Sequence, residues 1–111
     1  MKIVRLNEME GRNNLMAGGM VKFVHSDHMT VASWTFGAGS IFKEHNHPHE
    51  QILNLLEGTI EFTVDEDTQI IEAPAAVVIP PDAIHSGKTI TACALIDVFY
   101  PVREDFASLD R

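Results

Sequence analysis

The sequence predicts an all-β chain of antiparallel strands, a sandwich or small barrel. Three observations predict it: most apolar runs are too short for helices, one run alternates cleanly in period two, and Gly or Pro marks the corners. Met20–His25 and Met29–Phe36 are β-prone runs around the turn Ser26-Asp27-His28. Gly37-Ala38-Gly39 turns the chain into Ser40–Lys43. A histidine-rich loop leads to Gln51–Leu56, and Glu57-Gly58 leads on to Thr59–Val64. There Ile60, Phe62 and Val64 face one way while Thr59, Glu61 and Thr63 face the other, as in a half-buried strand. Asp65-Glu66-Asp67 is a polar turn before Thr68–Glu72. Ala73-Pro74 breaks the chain before Ala76–Ile79, and Pro80-Pro81-Asp82 breaks it again before a strand starting near His85. Thr91–Tyr100 is a long strand stopped by Pro101. The one helical candidate is Glu104–Leu109, about one turn, and Asn7–Asn14 reads as a polar surface loop.

Residues 1–111 fit one domain with one core. Eight Lys plus Arg stand against 16 Asp plus Glu, a net charge of −8. That balance argues against nucleic acid and against an anionic membrane surface as partners. The single cysteine, Cys93, forbids an intrachain disulfide and suits a reducing cytosol. No run of about 18 apolar residues exists, and Met1–Glu8 does not read as a signal peptide, so a cytoplasmic protein is expected.

Six histidines in so short a chain are more informative than the charge. His45 and His47 are two apart, so on an extended chain they offer two imidazoles to the same side. His85 follows the Pro80-Pro81 corner and supplies a third. A fourth donor falls to Glu50 or Gln51, which point to opposite faces of a strand. Three imidazoles and an oxygen suit one divalent transition metal (Ni, Zn, Mn or Fe), with positions left for water or substrate. The plainer alternative is a cluster of surface histidines. His49 has no assigned role beyond a bystander or neighbour, and His25 and His28 are expected in solvent beside a hairpin turn.

Gly39, His45, His47, Gln51 and Gly58 resemble the first motif of the cupin superfamily, with Gln51 in place of its carboxylate. Pro80, Asp82 and His85 keep part of the second motif, with Asp82 for its glycine and Thr89 for its terminal asparagine. The resemblance implies a jelly-roll barrel with a six-stranded core around a metal held by His45, His47, Gln51 and His85. It also favours Gln51 over Glu50. A neutral ligand set leaves the ion's full charge to polarise a substrate or a bound water.

On Thr91–Tyr100, Asp97 falls inside a hydrophobic stretch, where a carboxylate is costly unless paired or functional. Phe99 shares its face, and Arg103 follows Pro101, within reach of the barrel mouth or of an ion pair with Glu104 or Asp105. The run Asp97-Val98-Phe99-Tyr100-Pro101-Val102-Arg103-Glu104-Asp105-Phe106, with the histidine motif, is similar to the pectin-degradation KdgF-type cupins. That resemblance implies metal-assisted hydration and ring opening of 4,5-unsaturated uronates from pectin or alginate breakdown. It links Asp97, Phe99 and Arg103 to activity, and the physics suits that: Asp97 can shuttle a proton as general acid or base, and Arg103 can hold the carboxylate of a small anionic sugar in a fork. The alternatives are another metal-dependent cupin enzyme, a dioxygenase or isomerase, or a non-catalytic sugar- or metabolite-binding cupin. Small cupins are usually homodimers, and Ile52 and Leu56 are candidate contacts.

Overall fold

A computed structural model describes residues 1–110. The strands are β1 (Gly19–His25), β2 (Thr30–Phe36), β3 (Ile41–His45), β4 (Glu50–Glu57), β5 (Thr59–Val64), β6 (Asp67–Glu72), β7 (Ala75–Ile79), β8 (His85–Thr89) and β9 (Cys93–Tyr100). They form two antiparallel sheets, in the order β1-β2-β9-β4-β7 and β3-β8-β5-β6, packed as a jelly roll. One helical turn, α1 (Glu104–Ala107), follows, where the tail's helix is expected. Among the described residues no helix is long and apolar enough to cross a membrane.

Each expected apolar run is a strand, with its ends moved by a few residues. Alternation is the reason: β9 buries Cys93, Leu95, Asp97 and Phe99 and leaves Ala94, Ile96 and Val98 half-covered on the outer face. Register then stacks the inward residues in rows. Thr30, Phe99, Gln51 and Ile79 lie across β2, β9, β4 and β7, and Ala32, Asp97, Leu53 and Val77 form the row beneath. The closed core between the sheets includes Leu55, Ile60, Ile79 and Val21, all essentially inaccessible.

Two local conformations account for motif positions. Gly58 has φ +94, and a Cβ there would collide with the Ala92 carbonyl and the Cys93 thiol, so only glycine fits between β4 and β5. Asp82, which replaces the second motif's glycine, takes a left-handed φ of 64, a conformation that aspartate tolerates better than most side chains.

Two sequence expectations need correction. Residues 7–14 are not simply a surface loop. Leu6–Glu8 form a 3-10 turn, and Arg12 bridges Val21 through two backbone hydrogen bonds of 2.9 Å, tying the segment to β1. His25 is not free in solvent either. It stacks on Phe23 at 5.8 Å, and its Nδ1 lies 2.8 Å from the Thr30 hydroxyl, because it ends β1 directly opposite Thr30. His28 is exposed as expected.

Candidate metal centre

The site lies at the end of the barrel where β3, β4, β8 and β9 meet. His45 closes β3. Alternation from the inward Phe42 would turn Glu44 inside, but the register shifts between Phe42 and His45, and His45 pairs with His85 instead. Their rings are 4.1 Å apart. His47, just beyond the end of β3, is buried, with its ring 4.9 Å from that of His85. Ligand atoms of His45, His47 and His85 all lie within 4.8 Å of one another.

Each of these imidazoles is anchored the same way. Nδ1 of His45 donates to the Lys43 carbonyl at 2.7 Å, that of His47 to the His49 carbonyl at 3.1 Å, and that of His85 to the Ala83 carbonyl at 2.8 Å. A carbonyl only accepts, so Nδ1 carries the proton in all three, and Nε2 of a neutral ring is left with a lone pair. Nε2 of His85 is buried with no hydrogen-bond partner among the described residues. Nε2 of His47 faces Gln51 Oε1 at 3.1 Å. Two acceptors in contact repel, and a cation accepting both resolves the conflict. Anchored rings whose free nitrogens converge are the arrangement that metal-binding histidines adopt. The residues present therefore fit a divalent transition metal.

Gln51, not Glu50, faces this centre: Glu50 is exposed on the outer face. The Gln51 amide is fixed from behind, because its Nε2 donates to Asp97 Oδ1 at 2.7 Å. The oxygen end is thus turned toward the histidines. Burial pushes the Asp97 carboxyl up to about 7, although Gln51 and Arg103 both pull it down. His49 acts on the site through its carbonyl. Its ring meets Phe99 edge-on at 6.4 Å, and its Nδ1 is buried with no partner among the described residues.

Arg103 is buried. Its guanidinium lies over Phe106 at 4.0 Å and over Phe99 at 4.7 Å. Asp105 accepts from its Nε at 3.0 Å and from Nη2 at 2.7 Å. One edge of the fork is occupied, leaving Nη1 and the outer Nη2 hydrogen as donors. The Arg103 backbone N–H donates to Thr30 Oγ1 at 2.9 Å. His45, His85, Gln51, Asp97, Phe99 and Arg103 border one cavity of about 430 Å³. Sequence reasoning missed much of the rest of that wall, including Leu15, Met16 and Ala17 before β1, Lys43 on β3, Trp34 on β2, and Phe106 on α1. Asp105 and Thr30, which hold Arg103, were also missed as site residues. Only Asp105 carried a signal, its closeness in sequence to Arg103.

Burial lowers the His85 pKa from 6.5 to about 4, offset in part by the Ala83 hydrogen bond, and burial followed by Arg103 lowers that of His47. Between about pH 4 and 6.5 the unfolded chain therefore binds protons that these histidines refuse in the metal-free native state, and their contribution to stability falls as pH drops through that window, while Asp97, raised to about 7, contributes in the opposite sense. At about 1.4 kcal/mol per pKa unit, His85 alone accounts for on the order of 3 kcal/mol. Urea unfolding of the metal-stripped Asp97→Asn variant, which lacks the opposing carboxyl, should show this decline at pH 7, 5.5 and 4. A flat stability across the window would mean that His85 is more hydrated than its position implies.

Known proteins resemble this chain along most of its length. An uncharacterized protein of Streptomyces coelicolor is 24% identical over 91 residues, covering 82% of this chain and 87% of its own length. The structure of KdgF from Halomonas sp. superposes with a TM-score of 0.87 at 21% identity, over 95% of this chain and 99% of that one. An RmlC-like cupin from Shewanella frigidimarina gives 0.88 at 24% identity, over 96% of each chain. At such identities the likeness establishes the fold, including the jelly roll that the sequence motifs implied. The cupin domain family matches residues 32–99, the span that runs from β2 to the end of β9 and carries all three anchored imidazoles. On that match, the chain belongs to the cupin domain family.

Proposed function

We propose that the protein is a metal-dependent cupin enzyme that opens the ring of 4,5-unsaturated uronates from pectin or alginate breakdown. One observation carries the reading: two of the three convergent anchored imidazoles, a carboxyl with its pKa near neutrality and a guanidinium border the same cavity. A divalent transition metal, when bound, supplies Lewis acidity toward a ring oxygen or hydroxyl.

The product, a linear keto-aldehyde, is an isomer of the cyclic uronate. Hydration followed by opening and direct opening to an enol give the same balance. A proton leaves the anomeric hydroxyl, the bond from the anomeric carbon to the ring oxygen breaks, and C4 gains a proton as C5 becomes a ketone. Asp97 is the group that can carry that proton, since a carboxyl with a pKa near 7 both donates and accepts at neutral pH. Arg103 holds the substrate carboxylate with its unoccupied donors, and Phe99 and Phe106 keep the guanidinium plane fixed. The charge of −8 then matters less than it would on a flat surface, because positive charge is concentrated where the anionic sugar binds. In this reading the protein works in the cytosol, where buried Cys93 stays reduced. It works as a homodimer joined through the outer face of the five-stranded sheet, where Ile52, Val78 and Tyr100 are exposed.

Absorbance of the conjugated alkene in unsaturated galacturonate should disappear on adding protein loaded with Ni, Zn, Mn or Fe. Persistence with all four metals rejects the reading. Oxygen consumption by the iron form would then point to a dioxygenase, and a ligand-induced thermal shift without turnover to a binding protein.

A further inference from the structure

The guanidinium of Arg103 is steadied by Asp105, Phe106 and Phe99, but two of these travel with it. Asp105 and Phe106 belong to α1, whose single turn closes on the Arg103 carbonyl through the Phe106 and Ala107 N–H groups at 3.1 and 2.8 Å. They fix the guanidinium within the turn, not the turn on the barrel. The seat of the turn depends on what the strands offer it. Phe99 on β9 lies under the guanidinium at 4.7 Å. The Thr30 hydroxyl on β2 accepts from the Arg103 backbone N–H at 2.9 Å. Phe23 on β1 stacks on Phe106 with ring centres 4.6 Å apart. Thr30 and Phe23 are both buried. One residue touches both of these last two supports. His25, at the end of β1, has its Nδ1 2.8 Å from the Thr30 hydroxyl and its ring stacked on Phe23 at 5.8 Å.

The chemistry of the hydroxyl explains why the first contact matters. A threonine hydroxyl has one hydrogen and two lone pairs. Accepting from Arg103 uses a lone pair and leaves the hydrogen, which in a buried place needs an acceptor of its own. His25 Nδ1 stands within reach to take it. A hydroxyl held on both sides cannot rotate, so its lone pair stays aimed at the Arg103 N–H. We infer that His25 is a positioning residue: by holding Thr30 and Phe23 it seats the turn that carries the Arg103 guanidinium to the cavity. His25 itself is not among the residues that border the cavity. Its loss should therefore loosen the grip on a carboxylate and leave the three anchored imidazoles and Asp97 as they are. The inference rests on Arg103 holding the substrate carboxylate in the proposed reaction, and deepens that reading by naming what holds Arg103 in place.

Three substitutions divide the two contacts. His25→Ala removes both, His25→Phe keeps a ring on Phe23 without an acceptor, and His25→Asn keeps a short polar acceptor without the ring. The first readout is the Arg103 Nε–H signal in a proton–nitrogen correlation spectrum of the zinc-loaded protein, assigned by its loss in Arg103→Lys. Ring currents from Phe99 and Phe106 act on that proton, so a shifted turn moves the signal. It should move or broaden in His25→Ala and His25→Phe, and return toward its original position in His25→Asn. KM for unsaturated galacturonate should rise about 3- to 10-fold in His25→Ala, the usual worth of one hydrogen bond, with kcat and zinc affinity held. An unmoved Arg103 signal in His25→Ala overturns the inference, as does a fall in kcat with KM unchanged. If His25→Ala does not fold, His25→Phe carries the same test, because it keeps the apolar contact. The spectrum needs no turnover, which separates the two ideas. A moved signal in a protein without turnover keeps the role of His25 and removes ring opening. Turnover with an unmoved signal keeps ring opening and removes the role of His25.

Discussion

His85→Ala is expected to remove the metal from the purified protein and to abolish turnover with it. His85 is 2% exposed, its ring packs against those of His45 and His47, and its Nε2 has no hydrogen-bond partner among the described residues. Deleting a group that merely orients a metal ligand costs about 10- to 100-fold in affinity, so losing a ligand should cost at least about 100-fold. Metal analysis after gel filtration and zinc titration calorimetry both read this directly. The fold should persist, because the closed core formed by Leu55, Ile60, Ile79 and Val21 does not depend on the site. Stoichiometric metal in His85→Ala would mean that the triad is not the binding centre.

Asp97→Asn should separate chemistry from metal binding. Asparagine retains a carbonyl oxygen to accept from Gln51 Nε2, so the amide stays turned toward the histidines and metal content should change little. What disappears is the group able to give and take a proton near neutral pH. General acid–base catalysis is worth about 10²- to 10⁴-fold, so kcat on unsaturated galacturonate should fall by that amount while zinc affinity holds. Asp97→Ala should lose both, since it also leaves the Gln51 amide without its restraint. If Asp97→Asn lost metal as readily as His85→Ala, the carboxylate would serve the metal rather than the proton. Full activity in Asp97→Asn would remove Asp97 from the reaction.

The fold was legible because strands with one buried face alternate, and the motif glycines mark turns that few other residues can make. Thr59–Val64 shows this best, since its alternation predicts both its bounds and its buried face. The three histidines were legible from spacing, although their geometry was not. No residue pattern announces the register shift in β3 that sets His45 opposite His85, nor the carbonyls that anchor the rings, because every residue carries a carbonyl. The restraint on Gln51 joins positions 46 residues apart, and only strand pairing brings them together. The segment before β1 was misread for a related reason. Its polar residues look like a solvated loop, while the contacts that fix it are made by the Arg12 backbone and by Met16 against the core. His25 was misplaced because its partner Thr30 lies across a hairpin whose exact pairing decides which side chains meet.

The anchoring of the three imidazoles has a consequence for how such a centre changes over time. Its supports are main-chain atoms of Lys43, His49 and Ala83, so the anchoring itself makes no demand on the side chains at those positions. What inheritance must preserve there is the path of the chain rather than the letters of the code. Relatives with little shared sequence can keep an equivalent cradle wherever the backbone follows the same course. Such a centre is recognised more reliably by superposing traces than by matching residues around the histidines.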